Sequence, residues 1–86
     1  MTRFELEITH WAEKQLRAFD REDQQRLAKA MLELAEDPRP RGSKRLSGYE
    51  DVFRIRVGRF RVLYSVAKKR LVILILKIGD RRDVYR

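Results

Sequence analysis

Apolar and polar residues alternate in several short segments of the chain, and this period of two is typical of half-buried β-strands. In the first segment, Phe4, Leu6 and Ile8 alternate with polar residues and predict a strand over 3–9. Three further strands are predicted over 52–57, 60–66 and 71–78. The last of them, with the sequence LVILILKI, has too few polar positions to face water on either side. We therefore expect it to be central in the sheet.

Between the first two strands, apolar residues recur at the spacing of amphipathic helices. Ala12, Leu16 and Phe19 predict a short helix over about 10–19. A second helix is predicted by Leu27, Ala30, Met31, Leu34 and Ala35. Asp20 is its expected N-cap, because an aspartate side chain can accept a hydrogen bond from the first turn. The helix should end before Pro38, since the residue preceding a proline is pushed out of the α region.

The segment 37–48, DPRPRGSKRLSG, is rich in proline, glycine and serine, and we expect a basic loop without a regular element there. The element order is then β-α-α-β-β-β. It predicts an α+β fold in which two N-terminal helices pack on an antiparallel meander sheet. With 86 residues, the chain should form a single domain over 1–86.

Composition narrows the class of protein. The chain has no cysteine and one histidine, so neither a disulfide framework nor a thiolate zinc site is available. Its longest apolar run, 71–76, is far shorter than the roughly 20 residues that span a bilayer. We therefore expect a cytoplasmic protein with no membrane partner.

The net charge of +8 is unevenly distributed along the chain. Residues 1–37 contain six basic and nine acidic residues, whereas residues 38–86 contain fifteen basic and four acidic ones. A basic surface that only keeps the protein in solution would give no reason for this separation, although it stays an alternative. The pattern favours a polyanionic partner such as nucleic acid.

The second and third strands are joined by Gly58 and Arg59, which predict a two-residue type II′ hairpin with glycine first. This turn sets the register: Arg56 faces Arg61, Ile55 faces Val62, and Phe53 faces Tyr64. One face of the hairpin is then apolar and should cover the helices. The other face carries Arg54, Arg56 and Arg61.

Like charges directly opposite each other destabilise a sheet by up to about 1 kcal/mol. Arg56 and Arg61 therefore occupy positions that folding alone would not favour. A phosphodiester would explain them, because guanidinium groups donate two parallel hydrogen bonds to phosphate. Alternatively, they are solvated side chains whose stems cover apolar surface.

A second basic cluster follows the last strand and consists of Arg81, Arg82 and Arg86, with Tyr85 among them. The tyrosine ring could stack on a base, or it could close the core.

Other chemistry has little support in the sequence. His10 has no evident partner, the serines have no base at a recognisable spacing, and no glycine-rich phosphate loop is present.

The string LSGYEDVFRIRVGRFRVLY at 46–64 and the ending IGDRRDVY at 78–85, in this order of elements, resemble the RelE/ParE toxins of prokaryotic toxin–antitoxin systems. The resemblance extends over the whole chain and implies their microbial ribonuclease-like fold. The RelE branch implies a metal-free endoribonuclease, without a cofactor, that cuts messenger RNA in the A site of the 70S ribosome and is inhibited by a cognate antitoxin.

Residue by residue, the resemblance places the catalytic positions of RelE toxins at Arg54, Arg56, Arg61, Arg81 and Tyr85. Further RNA contacts are expected from Lys44, Arg45, Arg59, Arg82 and Arg86. In the implied mechanism the 2′-OH of the substrate attacks the adjacent phosphate, leaving a 2′,3′-cyclic phosphate and a 5′-OH. Cationic side chains stabilise the charge of the transition state.

Two positions depart from the RelE pattern. Arg54 stands where many relatives have a lysine, and an arginine is a poor proton acceptor. Asp80 stands where relatives often have a histidine or lysine, and its charge could weaken a nuclease. RelE/ParE toxins with a further C-terminal helix use that helix to contact the antitoxin. Such a helix is not among the elements predicted here, so an antitoxin of this chain is expected to use another groove.

Two other functions therefore stay open. A ParE-like protein would inhibit DNA gyrase without nuclease activity. A non-catalytic RNA-binding module would show salt-sensitive affinity and no cleavage.

Overall fold

The computed structural model describes residues 3–80 and contains two helices and five strands in the expected α+β arrangement. The elements in chain order are β1 (Glu5–Ile8), α1 (His10–Ala18), α2 (Arg21–Glu36), β2 (Lys44–Arg45), β3 (Val52–Val57), β4 (Phe60–Ala67) and β5 (Val72–Asp80). No helix in this range is long and apolar enough to cross a membrane.

The sheet has the order β1-β5-β4-β3-β2, so β5 has a partner strand on each side. Strands β2, β3, β4 and β5 pair with one another antiparallel, as predicted for the meander. β1, however, pairs with β5 in parallel, with Glu5 opposite Val72. The predicted antiparallel meander is therefore confirmed within a mixed sheet, because the helix pair carries the chain back across the sheet and makes β1 parallel to β5.

The expectation that 37–48 holds no regular element is wrong at one point. Lys44 and Arg45 form the edge strand β2, opposite Arg54 and Phe53 of β3. Next to this pairing, the Leu46 amide donates to the Val52 carbonyl at 2.8 Å. Two residues of edge strand need only backbone donors and acceptors, so the Pro- and Gly-rich composition around them does not prevent the pairing.

Side-chain caps fix the starts of both helices. The Asp20 side chain accepts a hydrogen bond from the Asp23 amide at 3.1 Å, which confirms Asp20 as the N-cap of α2. Thr9 caps α1 in the same way through the Ala12 amide. α2 ends at Glu36, before Pro38, as the sequence predicts.

The core lies between the helices and one face of the sheet. It contains Leu27, Met31 and Leu34 from α2, and Phe53, Ile55, Phe60, Val62, Tyr64, Val66, Ile73, Ile75 and Ile78 from the strands. The opposite face, here called the outer face, carries Arg54, Arg56, Arg61 and Leu63 in the hairpin, and none of these four side chains is fully buried. The hairpin therefore has the two contrasting faces that its alternation predicts.

The predicted hairpin register is confirmed: Arg56 pairs with Arg61, Ile55 with Val62, and Phe53 with Tyr64. Gly58 has a φ of 60°, and Arg59 does not have a positive φ. A type II′ turn requires a positive φ at its first central position alone, whereas a type I′ turn requires it at both. Glycine is thus needed at position 58, and the turn fits the predicted type.

Candidate nucleic-acid interface

Two rows of side chains cross the outer face. In the first row, Arg56 of β3 is directly opposite Arg61 of β4, and Arg61 is opposite Gly79 of β5. Gly79 places no side chain beside Arg61, and the two residues line a common cavity. Directly opposite residues on a sheet face have Cβ atoms about 4.5–5.5 Å apart, so the two guanidinium groups can act on one anion.

The second row runs across four strands and lies two residues further from the turn. Lys44 of β2 is opposite Arg54, Arg54 is opposite Leu63, and Leu63 is opposite Lys77 of β5. The Nε of Arg54 is buried and has no hydrogen-bond partner within residues 3–80. A buried cationic donor without a partner is costly, which makes this position a candidate for ligand binding.

Two small cavities open beside these rows. The hairpin cavity, about 230 Å³, is lined by Arg56, Gly58, Arg59, Phe60 and Arg61. The sheet cavity, about 220 Å³, is lined by Leu46, Arg54, Arg61, Leu63, Lys77 and Gly79. Arg61 lines both. No carboxylate is among these lining residues, so both cavities combine apolar surface with cationic donors and suit an anion.

Lys77 is a member of the outer face that the sequence reasoning missed. Strict alternation in β5 would place Lys77 on the same side as Ile73 and Ile75, in the core. Instead, the β4–β5 pairing shifts by one residue between Leu63 and Tyr64, which leaves Leu76 as an extra residue in β5. This β-bulge exposes Lys77 and returns Ile78 to the core.

Arg59 lies at the hairpin turn within an ion-pair cluster rather than on the outer face. Its Nε donates to Asp80 at 3.0 Å and its Nη2 donates to Asp23 at 3.1 Å. Its guanidinium carbon also lies 4.6 Å from the centre of the Phe60 ring. The hydrogen bond to Asp80 raises the pKa of Arg59. RNA contact through Arg59 stays a prediction, and it would have to compete with two carboxylates.

The same ion-pair cluster contains the carboxylate of Asp80. Asp80 is 7% exposed and lies on the helix side of β5, where Arg59 partly neutralises it. The β-bulge places Asp80 on the helix side, because it determines on which side of the sheet every later residue of β5 lies. Asp80 therefore does not line the sheet cavity, in which the cations Arg54, Arg61 and Lys77 lie.

The side chains of Lys44 and Arg45 lie on opposite faces of the sheet. Lys44 is opposite Arg54, while Arg45 places its guanidinium carbon 5.6 Å from the ring centre of Phe53, a core residue. Arg39 approaches the same ring at 5.1 Å. Successive residues of a strand point to opposite faces, so only Lys44 joins the outer-face row. RNA binding by either residue stays a prediction.

The second predicted basic cluster, formed by Arg81, Arg82, Tyr85 and Arg86, lies outside the described residues. Its catalytic and RNA-binding roles stay predictions. The structure does bring together Arg54, Arg56, Arg61 and Lys44, which come from three strands. Within residues 3–80, no group of three or more histidine, cysteine, aspartate or glutamate side chains could hold a metal ion.

Several solved structures with a similar fold are toxins and toxin–antitoxin complexes. A chain in the crystal structure of the archaeal RelE–RelB complex from Pyrococcus horikoshii OT3 superposes with a TM-score of 0.82 at 32% identity, covering 94% of this chain and 97% of that chain. A chain in the intact Escherichia coli RelBE toxin–antitoxin complex superposes with a TM-score of 0.79 at 25% identity, covering 90% and 95%. The predicted fold is thereby confirmed.

Sequence comparison gives the same relationship. A RelE-like toxin protein of Escherichia coli is 30% identical over 87 residues, which covers 96% of this chain and 90% of that protein. RelE1 of Methanocaldococcus jannaschii, also named as a toxin, is 44% identical over 43 residues, and this match spans about half of each protein, 50% of this chain and 48% of the other. Residues 6–85 match the family described as the ParE toxin of type II toxin–antitoxin systems, parDE. The chain therefore belongs to this toxin family, within the RelE/ParE superfamily.

Proposed function

We propose that this toxin is a RelE-type endoribonuclease that cuts messenger RNA in the A site of the 70S ribosome and so stops translation. The observation that carries the proposal is the Arg56–Arg61 pair, two guanidinium groups placed directly opposite each other on the outer face. Such a pair is unfavourable in a folded protein without a ligand and favourable once a phosphate lies between the two side chains. The chain has net charge +8, which suits a polyanionic substrate.

In the proposed reaction the 2′-oxygen of a ribose bonds to the adjacent phosphorus, and the bond from phosphorus to the 5′-oxygen of the next nucleotide breaks. The 2′-OH proton leaves to a base or water, and the leaving 5′-oxygen takes up a proton. Negative charge grows on the phosphate oxygens during this step. Arg56 and Arg61 bind those oxygens, while Arg54 donates from the neighbouring row, so the charge develops against donors that are already in place.

The remaining proposed roles belong partly to residues beyond the described range and partly to basic residues near the outer face. Arg81 adds a further cation to the phosphate, and Tyr85 stacks on a base of the cut codon. Lys44, Arg82 and Arg86 contact the RNA backbone. Arg45 and Arg59 do so only if the RNA extends past the outer face, because both guanidinium groups pack on the helix side of the sheet.

A cognate antitoxin is the expected protein partner, since the structural neighbours from Pyrococcus horikoshii and Escherichia coli are toxin–antitoxin complexes. The outer face offers cations and partly exposed leucines together. A segment with acidic and apolar side chains would complement it and would exclude RNA at the same time.

A second candidate function is inhibition of DNA gyrase without nuclease activity. The observation in its favour is the match to the family described as the ParE toxin of parDE. The Arg56–Arg61 pair argues for the nuclease, because binding to a protein target does not require two donors for one phosphate.

The two candidates are separated by adding the purified toxin to a reconstituted translation system and, in parallel, to a gyrase supercoiling assay. We expect messenger to be cut within the A-site codon, only when ribosomes are present, with a 2′,3′-cyclic phosphate on the upstream fragment and with gyrase unaffected. Intact messenger together with inhibited gyrase would establish the second candidate. Bound but uncut RNA would indicate a non-catalytic RNA-binding module.

A further inference from the structure

The bulge in β5 creates a cationic position that neither strand alternation nor the predicted site includes. Lys77 is exposed on the outer face, while Ile75 and Ile78 on either side of the bulge are fully buried. A β-bulge commonly turns a side chain toward a functional site. Here it moves a lysine out of the core side and next to Arg54 and Arg61 in the lining of the sheet cavity.

Two side chains of the first helix region hold the irregular backbone in place. The Thr9 hydroxyl donates to the Leu76 carbonyl at 3.0 Å, and the Ile78 amide donates to Oε1 of Gln15 at 2.9 Å. The first bond lies at the extra residue and the second lies just after it. Backbone groups that an irregular strand leaves unpaired must find other partners, and these side chains provide them. The position of Lys77 is therefore built into the fold.

The surroundings of Lys77 fit an anion and a nucleotide better than a neutral ligand. Arg54, Arg61 and Lys77 supply three cations to a cavity of about 220 Å³ whose other walls include Leu46 and Leu63. Arg54 has a buried Nε without a partner in the described part of the chain. The cavity thus combines the unpartnered donor of Arg54 with apolar surface, and none of its lining residues within 3–80 is a carboxylate.

The position of the sheet cavity also fits a single-stranded RNA that has one phosphate bound by the Arg56–Arg61 pair. The two outer-face rows are two residues apart along the strands, which is about 6–7 Å. That separation is close to the distance between neighbouring phosphates of an extended single strand. An RNA strand with one phosphate at Arg56 and Arg61 would therefore place its next phosphate near Lys77 and Arg54.

We propose that Lys77 binds an RNA phosphate in the sheet cavity, beside the phosphate that is cut. This inference rests on the proposed function for its substrate class, RNA, but it concerns binding rather than cleavage. Lys77 thereby fixes the position of the RNA strand relative to the Arg56–Arg61 pair.

The test is the salt dependence of binding of a short single-stranded 2′-O-methyl oligoribonucleotide, which lacks the attacking hydroxyl and cannot be cut. We expect Lys77→Gln to weaken binding about fivefold at 0.1 M salt and to reduce the slope of log K against log salt concentration by about 0.7, the loss of one phosphate contact to a single strand. Lys77→Arg should keep the slope of the parent. Lys29→Gln, the same charge change on exposed α2, should change neither quantity.

Equal slopes and affinities for the parent and Lys77→Gln would overturn the inference. A Lys77→Gln variant with a much lower melting temperature and an unchanged slope would assign Lys77 a structural role instead. Because no cleavage is measured, the result is independent of the proposed nuclease activity. A toxin that binds through Lys77 but never cuts RNA would refute the proposed function alone.

Discussion

Tyr64 connects the core to the basic loop through one hydroxyl group. Its side chain is fully buried, its ring stacks on Phe53 at 5.9 Å, and its hydroxyl donates to the Pro38 carbonyl at 2.8 Å. Burial raises the pKa of Tyr64 to about 12, because the phenolate would lose its hydration. Tyr64 is therefore held in its neutral form, and its hydroxyl can remain a donor to Pro38.

This raised pKa predicts a fall in stability at alkaline pH. In the unfolded chain Tyr64 ionises near pH 10, whereas in the folded protein it ionises near pH 12. Its contribution is complete below pH 10 and is lost as the pH rises to about 12, by up to about 2–3 kcal/mol. Tyr64→Phe should be less stable by about 1–3 kcal/mol at pH 7, since the Pro38 carbonyl loses its donor.

Urea unfolding of the parent and Tyr64→Phe between pH 7 and about 11 measures both effects. The stability difference between the two proteins should shrink as the pH rises above 10. Tyr49→Phe, at an exposed tyrosine, serves as the control and should follow the parent. A difference that stays constant over the whole range would show that Tyr64 does not titrate as described.

Tyr85 is predicted to act through its ring. Stacking on a base contributes about 1–3 kcal/mol, so Tyr85→Ala should slow cleavage of ribosome-bound messenger by between about fivefold and a hundredfold. Tyr85→Phe should keep most of the activity. If both substitutions are equally harmful, the hydroxyl is the important group. If neither has an effect while arginine substitutions do, Tyr85 has no role in the reaction.

At the scale of elements, the hairpin was the most predictable part of the structure. Gly58 at the first turn position and strict alternation on both sides fix the register, and with it the opposition of Arg56 and Arg61. This part of the candidate site could therefore be predicted from local sequence alone.

The bulge and the parallel pairing of β1 could not be predicted in this way. The run from Leu71 to Leu76 is apolar at every position, so its alternation does not define which side faces the core. The phase is set instead by contacts with distant residues, Thr9 and Gln15. For the same reason the sequence did not indicate that Lys77 would lie beside Arg61 or that Asp80 would pair with Arg59.

The Arg59 ion-pair cluster joins three elements and should contribute to stability. Arg59 connects Asp80 at the end of β5 with Asp23 in α2, and both carboxylates are buried. Arg59→Gln would remove the cation that these two buried carboxylates share, and loss of one member of a buried ion pair is destabilising. We expect the melting temperature to fall by several degrees.

Arg26→Gln is the matched control, because Arg26 lies 3.8 Å from Asp23 and is more exposed than Arg59. Its melting temperature, measured by circular dichroism, should change much less. If Arg59→Gln melts like the parent, the cluster is not a structural support, and Arg59 is available for the predicted contact with RNA.

At the scale of the whole molecule, the two faces of the sheet differ in chemistry. The helices and one sheet face form the core, while the outer face gathers cations from four strands, including Lys44, Arg54, Arg61 and Lys77. Part of the basic charge in the second half of the sequence is thereby brought together on one face, while the guanidinium groups of Arg45 and Arg59 pack on the other. The composition predicts a polyanionic partner, and the register and the bulge define which face offers it a group of cations.

The central claim is that this outer face cuts RNA, and the most direct measurement is the single-turnover rate of cleavage of ribosome-bound messenger. We compare the parent with Arg56→Ala, Arg61→Ala and, as a control for charge, the double variant Arg21→Ala and Lys29→Ala on exposed positions of α2. Each outer-face substitution should reduce the rate by about 10²–10³-fold, the usual effect of removing one transition-state donor. Stability should change by no more than about 1 kcal/mol, because like-charge repulsion is relieved.

The control variant should cleave at the rate of the parent. Outer-face variants that remain folded and cut messenger as fast as the parent would contradict the account, as would an equal loss of activity in the α2 variant.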